Sequence, residues 1–350
     1  MVTIELVVLL IILFAIFGHA LWVRWDKTRR GPTLARARQT LAQVLNPVAP
    51  VKGDEIELAW ADLEAVRALP DHLQAQVFVE LARNLSGRQK AAVAHIAGRV
   101  GLIARTELSL QSRLWWRRLR ATRLLTLLGA GEGSMPKLLS DRHPRVRAQA
   151  ADWAAAYPNP DIITALLNVL GDPAKLCRFT AQNSLLRMGA VVGPFLADYV
   201  AHHSGPSLVA ALEVAVGLAE LRFLGPALKL CQDGSPSVRT LAATLLGQIG
   251  GSEVASMLQE LLRDPETSVR AEAARGLGKL GEWPAAPALA CTLRDPSWDV
   301  RREAGLALRA MGSPGILLLR RSLSDRDAFA ADMARQALDI PTSALARPVL

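Results

Sequence analysis

Gly276-Leu-Gly278-Lys-Leu-Gly281 satisfies the G-x-G-x-x-G spacing that lets backbone amides approach a dinucleotide pyrophosphate. That chemistry needs the glycines to follow a strand and open a helix. Here they close a helical pattern, so no phosphate site is expected. His202 and His203 are metal-ligand types, but neighbours on a helix point about 100° apart and chelate no metal without a third ligand. Cys177, Cys231 and Cys291 are an odd number, set far apart; they read as small buried thiols in a reducing compartment. No Walker-type loop, H-E-x-x-H, C-x-x-C or G-x-S-x-G occurs, and the acidic residues are dispersed. The sequence predicts no catalytic residue, no cofactor site, no metal site and no small-molecule substrate.

The residue types that do recur at fixed spacing are an Asp and an Arg six positions apart: Asp141 and Arg147, Asp172 and Arg178, Asp233 and Arg239, Asp264 and Arg270, Asp295 and Arg301. They sit in a frame that returns about every 31 residues. Counting from Arg270, Val269 lies just before it, and Ala273, Leu277, Leu280 and Gly281 follow. Offsets of three, seven and ten share one face of a helix, and Gly281 supplies its stop. Asp264-Pro265 breaks the chain before it, and Leu258, Leu261 and Leu262 stripe a preceding helix. Each unit is a helical hairpin that must stack on its neighbours to bury its apolar face. The Asp and Arg positions form a structural ladder, each Asp reaching backbone amides or an Arg in its own or the adjacent unit. One unit departs from the frame: His203 takes the Asp position and Val209 the Arg position, so a rung is missing. In the last unit Asp332 replaces the Arg.

Asp264-Pro265, Val269-Arg270 and Leu277-Gly278 resemble the signature of the HEAT-repeat family, in the short form shared with phycobilin lyases. The resemblance spans roughly residues 112 to 339 and implies an all-α solenoid of stacked helical hairpins that binds other proteins. The pattern from Asp295 to Leu338, with Trp298-Asp-Val-Arg301 and Met311-Gly312-Ser-Pro-Gly315, is similar to single-pass HEAT-repeat proteins of bacteria associated with membrane-bound glycosyltransferases of polysaccharide synthesis. An accessory role beside such an enzyme is what that similarity implies. A bilin-lyase-like enzyme is the rival from the same resemblance.

Leu6 to Val23 carries no formal charge and spans about 27 Å as a helix, close to a bilayer's hydrocarbon thickness. It reads as one transmembrane helix, with residues 4–23 in contact with lipid. A cleaved signal peptide is the competing reading, and no basic residue precedes the run to support it. Arg24, Lys27, Arg29 and Arg30 follow the run, which places the N-terminus outside and the body in the cytoplasm, at the inner membrane. The formal charge of +9 is concentrated there and in a second cluster from Arg105 to Arg123. Those clusters leave open a third role, binding an anionic membrane surface. The expected organisation is an anchor (1–23), a basic connector (24–53), a helical cap or docking region (54–111), the solenoid (112–339) and a tail (340–350).

The second helices should present offsets of two, five and nine away from the core. Those positions read Glu272, Arg275, Lys279, then Glu303, Leu306, Ala310, a mixed row that disfavours a nucleic-acid groove. The turn between paired helices instead carries Trp115, Trp298 and Phe329, large aromatics suited to a protein hot spot. With Arg120, Arg123 and Arg275 they are the expected partner-binding residues of a non-enzymatic scaffold.

Overall fold

The computed structural model describes residues 60–83 and 87–341, together with Phe17, Gly18, Ala35 and Gln39. The expected membrane segment, the basic connector with Arg24, Lys27, Arg29 and Arg30, and the tail beyond Pro341 otherwise lie outside the described residues. Among the described residues every regular element is helical, and the chain divides into two compact units, one on each side of Leu138 and Leu139.

The first unit holds α1 (Trp60–Arg67), α2 (Asp71–Arg83), α3 (Gly87–Arg99), α4 (Leu102–Ser109) and α5 (Trp115–Leu128). Leu63, Val66, Val77, Phe78, Ile96, Val100 and Leu128 bury together as its core. Gly101, at φ +74°, ends α3 and lets α4 begin. Gln74 is buried and satisfied: its amide donates to the carbonyls of Arg67 and Leu69, and its oxygen accepts from Arg105.

The second unit runs through α6 (Pro144–Ala154), α7 (Pro160–Val169), α8 (Lys175–Met188), α9 (Gly193–His202), α10 (Gly205–Leu218) and α11 (Leu224–Leu230). It continues with α12 (Pro236–Ile249), α13 (Ser252–Leu261), α14 (Thr267–Leu280), α15 (Ala286–Thr292), α16 (Trp298–Ala310), α17 (Ser313–Ser322) and α18 (Ala328–Asp339). The second helices of the hairpins, α6, α8, α10, α12, α14, α16 and α18, each pack on the next in one layer. The first helices form the other layer, where α7 packs on α9, α9 on α11, and α15 on α17. The repeated stripe explains the stacking: Val238, Ala242, Leu246, Val269, Ala273, Leu277, Val300, Ala304 and Leu308 are all buried. The residue at offset ten is only half-buried at Ile249, Leu280 and Met311, because the last helical turn reaches the edge of the stack.

Helix-to-helix distance in this layer is set by missing side chains. A Cβ built on Gly247 would stand 2.6 Å from the Cα of Gly276, and one on Gly278 would stand 2.7 Å from the Ala307 Cβ. The G-x-G-x-x-G run therefore serves packing at its first two glycines and helix termination at its third, Gly281, which sits at φ +65°.

One helical stretch, Lys175–His202, passes a length and composition test for crossing a membrane. It is α8 and α9 in series, interrupted by a 3-10 turn that starts at Gly189 with φ +69°. Each half buries its own apolar residues, Ala181 and Leu185 in one and Leu196 and Val200 in the other, as a core hairpin does.

Candidate partner-binding surface

The ladder is built the same way in each intact rung of the second unit. The Asp ends the first helix of a hairpin and accepts the backbone amide two residues on: Ala174 on Asp172, Glu266 on Asp264 and Ser297 on Asp295, each at 2.8 Å. Its carboxylate then receives the forked guanidinium of the preceding unit's Arg, 25 residues earlier. Arg147 donates through Nε and Nη2 to Asp172 at 2.6 and 2.9 Å, Arg239 to Asp264 at 2.8 and 2.9 Å, and Arg270 to Asp295 at 2.7 and 3.1 Å. The remaining Nη1 turns back to the carbonyl of its own unit's Asp, at 2.7 Å for Arg147 and 2.9 Å for Arg239 and Arg270. One Arg thus staples its own turn and the next one.

These pairs are largely shielded from water, with side-chain exposures of 13% for Arg239 and 6% for Asp264. Burial by itself would push the Asp172 and Asp264 carboxyls up. The Arg hydrogen bond and the backbone amide outweigh it and hold both below the usual carboxylate range. The same hydrogen bonds raise Arg147, Arg239 and Arg270 above the ordinary guanidinium value.

The ladder changes in two places. Arg178 keeps its Nη1 bond to the Asp172 carbonyl at 2.6 Å, but His203 occupies the position where its carboxylate should stand. The Nε and Nη2 of Arg178 meet no acceptor among the described residues. His203 instead stacks on Tyr199, its ring centroid 3.6 Å away. At the far end Asp325 is taken by Arg294 at 2.7 Å, and the Arg301 guanidinium lies 4.8 Å from the Phe329 ring. Asp141 accepts the His143 amide at 2.8 Å, and Asp233 that of Ser235 at the same distance.

Trp298 and Phe329 open α16 and α18 and are 51% and 67% exposed. Arg302 stands 5.5 Å above the Trp298 ring, as Arg301 does over Phe329. Trp115 in the first unit is only half-buried, with its neighbour Trp116 exposed beneath Arg117 at 5.2 Å. Arg120 and Arg123 are exposed on α5.

One expectation gains detail and one needs correction. The row at offsets of two and five is open in part: Arg275 is exposed and Glu303 buried, and several of these side chains also tie adjacent second helices together. Arg275 pairs with Glu272 and with Glu303 at 3.0 Å, and Thr244 donates to Glu272 at 3.2 Å. Arg275 keeps 43% of its side chain exposed while making these pairs. Cys291 is exposed, unlike buried Cys177 and Cys231; it lies at the end of the seven-residue α15, on the outer layer. Burial pushes the Cys231 thiol up to about 12, which leaves it inert. Of the two Arg partners the sequence left open for each Asp, the carboxylate takes the one in the adjacent unit, 25 residues away, whereas the 28-residue ties were not anticipated.

A family model described as HEAT repeats matches residues 223–309 and 257–339. No curated protein matches the chain. Among solved structures, an engineered protein is similar at 18% identity, with 79% of this chain and 87% of that one covered and a TM-score of 0.39. Human deoxyhypusine hydroxylase is similar at 20% identity, covering 80% and 95%, with a TM-score of 0.30. Kap121p is similar at 12% identity, covering 93% of this chain and 46% of that one, with a TM-score of 0.43. The matched segment holds two of the three intact rungs, Arg239 with Asp264 and Arg270 with Asp295, together with the packing glycines, and residues 223–339 are HEAT repeats of an α-solenoid.

Proposed function

We propose that this chain is a non-enzymatic scaffold, anchored in the cytoplasmic membrane by residues 6–23, whose cytoplasmic solenoid holds a membrane-associated partner protein. The observation that supports it best is the exposure of Trp298 and Phe329 at the openings of adjacent second helices. Both hairpins already have closed cores from Val300, Ala304, Leu308, Ala330 and Ala334, so the rings are not needed for packing. Exposed aromatics with a cation on one side have the composition of an interaction hot spot. The resemblance carried by Trp298-Asp-Val-Arg301 and Met311-Gly312-Ser-Pro-Gly315 makes a glycosyltransferase of polysaccharide synthesis the partner to look for.

The test is crosslinking and co-isolation of the full chain from native membranes in mild detergent, read by mass spectrometry. An integral membrane enzyme should co-isolate with the wild type, with crosslinks near Trp298 and Phe329. The double variant Trp298→Ala, Phe329→Ala should lose it while keeping the wild-type melting temperature. No co-isolating membrane protein, or an undiminished yield from the double variant, would overturn the reading.

A further inference from the structure

The missing rung leaves a groove of about 540 Å³, lined by Lys175, Arg178, Phe179, Pro206, Val209 and Glu213 among others. Arg178 lines it, and its Nε and Nη2, the atoms that in the three intact rungs grip a carboxylate at 2.6–3.1 Å, meet no acceptor among the described residues. The molecule itself shows what this fork accepts, because Arg147, Arg239 and Arg270 all hold an aspartate in the same frame. From the geometry of the broken rung we infer that this groove is a docking site for an acidic peptide segment of a partner protein. An aspartate or glutamate of that segment fills the Arg178 fork, and an apolar neighbour rests on Phe179, Pro206 and Val209.

Charge decides between a peptide and a polyanionic surface. Lys175 and Arg178 face Glu213, which accepts a hydrogen bond from Gln182. Asp233, lacking an Arg because Val209 holds that position, stands two residues from Ser235, another lining residue. The groove thus carries a small positive excess suited to one carboxylate, and its acidic neighbours repel a multiply charged phosphate or a sheet of anionic headgroups. Phe179, a lining residue that is 67% exposed, adds the apolar contact that a single ion pair in a partly solvated site lacks. Ala210 and Pro206 belong to α10, whose N-terminal turn shapes the floor.

The site rests on the scaffold reading, but the two fail separately. Loss of peptide binding in vitro removes the site and leaves the co-isolation result standing; an absent membrane partner does the reverse. The experiment pans a displayed library of random nonapeptides on the full chain in mild detergent. Affinities of the enriched peptides are then measured by fluorescence polarisation. The enriched sequences should carry Asp or Glu beside an apolar residue. Arg178→Gln should weaken them roughly tenfold or more, in line with the loss of a bidentate charge-assisted contact. His203→Asp, placing a carboxylate 25 residues after Arg178 as in the intact rungs, should weaken them equally while raising the melting temperature. If Arg178→Gln fails to fold, the His203→Asp result decides. Enrichment without carboxylates, or unchanged affinity in His203→Asp and folded Arg178→Gln, overturns the site. Arg178-dependent binding of phosphatidylglycerol vesicles with no peptide binding overturns it in favour of lipid.

Discussion

Removing Asp264 should open the solenoid locally and strongly. Asp264→Ala strips Arg239 of two charge-assisted hydrogen bonds and leaves its guanidinium mostly buried, with only the carbonyls of Asp233 and Gly234 to accept from it. Breaking a fully buried pair costs about 3–5 kcal/mol. The two retained carbonyls lower that figure, and the lost acceptor for the Glu266 amide adds back about 1 kcal/mol, giving about 3 kcal/mol in all. Asp264→Asn keeps a neutral oxygen for both donors and should cost about 1–2 kcal/mol. Hydrogen exchange read by mass spectrometry measures the effect, since 3 kcal/mol corresponds to about 100-fold faster exchange from the opened state. Because each repeat contacts only its neighbours, the change should appear in peptides from α12 and α14 and fade by α6. A double-mutant cycle with Arg239→Ala should return a coupling of about 2 kcal/mol. Less than about fivefold acceleration in α12 and α14, or equal acceleration throughout the second unit, would refute the claim that rungs are local staples.

The remaining predictions concern glycines and acid. Gly278→Ala places a methyl 2.7 Å from the Ala307 Cβ and 2.8 Å from its Cα, and should lower stability by about 1–3 kcal/mol in a thermal melt. Ala219→Gly should raise it by up to about 1 kcal/mol, because Ala219 caps α10 at φ +49°, where an L side chain is strained. Asp172 and Asp264 have folded pKa values below their unfolded ones, so their contribution is complete above the unfolded value and is lost as pH falls through the folded one. Melting temperature should therefore begin to drop below about pH 4, and Asp264→Asn should flatten that drop.

How much of this was legible in the sequence depends on the range of the interaction. The stripe of Val269, Ala273 and Leu277 and the stop at Gly281 are contacts within one helix turn or one chain break, and the 3.6-residue period exposes them directly. The hairpin stack followed, because such a unit cannot bury its stripe alone. The Asp and Arg positions were equally regular, yet their partner 25 residues away required knowing how far each hairpin advances. The same limit hid Gly247 against Gly276, where two backbones meet across units. Arg275 is exposed, as its offset opposite the stripe suggests; what the offset could not show is that the solenoid's own pitch brings Glu303 beside it. Cys291 looked buried because it sits beside a core position of the repeat, whereas α15 buries Leu289 and Thr292 and turns Cys291 to its outer face.

The end of the ladder bears on the aromatic edge proposed as the docking surface. With Asp325 drawn to Arg294, Arg301 has no carboxylate to receive its fork, and the Phe329 ring takes that place. Its Nη1 still bonds the Asp295 carbonyl at 2.8 Å, as in the rungs before it. A cation over an exposed ring contributes only about 0.5–1 kcal/mol, so a smaller residue would have served the stack nearly as well. Yet Phe329 is 67% exposed and Trp298, under Arg302, is 51% exposed. Aromatic side chains of about 200 Å² leave roughly 100 Å² or more uncovered on each at these exposures. Covering that surface would contribute roughly 2–3 kcal/mol per ring. The cation fixes one side of each ring against its own hairpin, and the other side is held open in a defined orientation at little entropic cost.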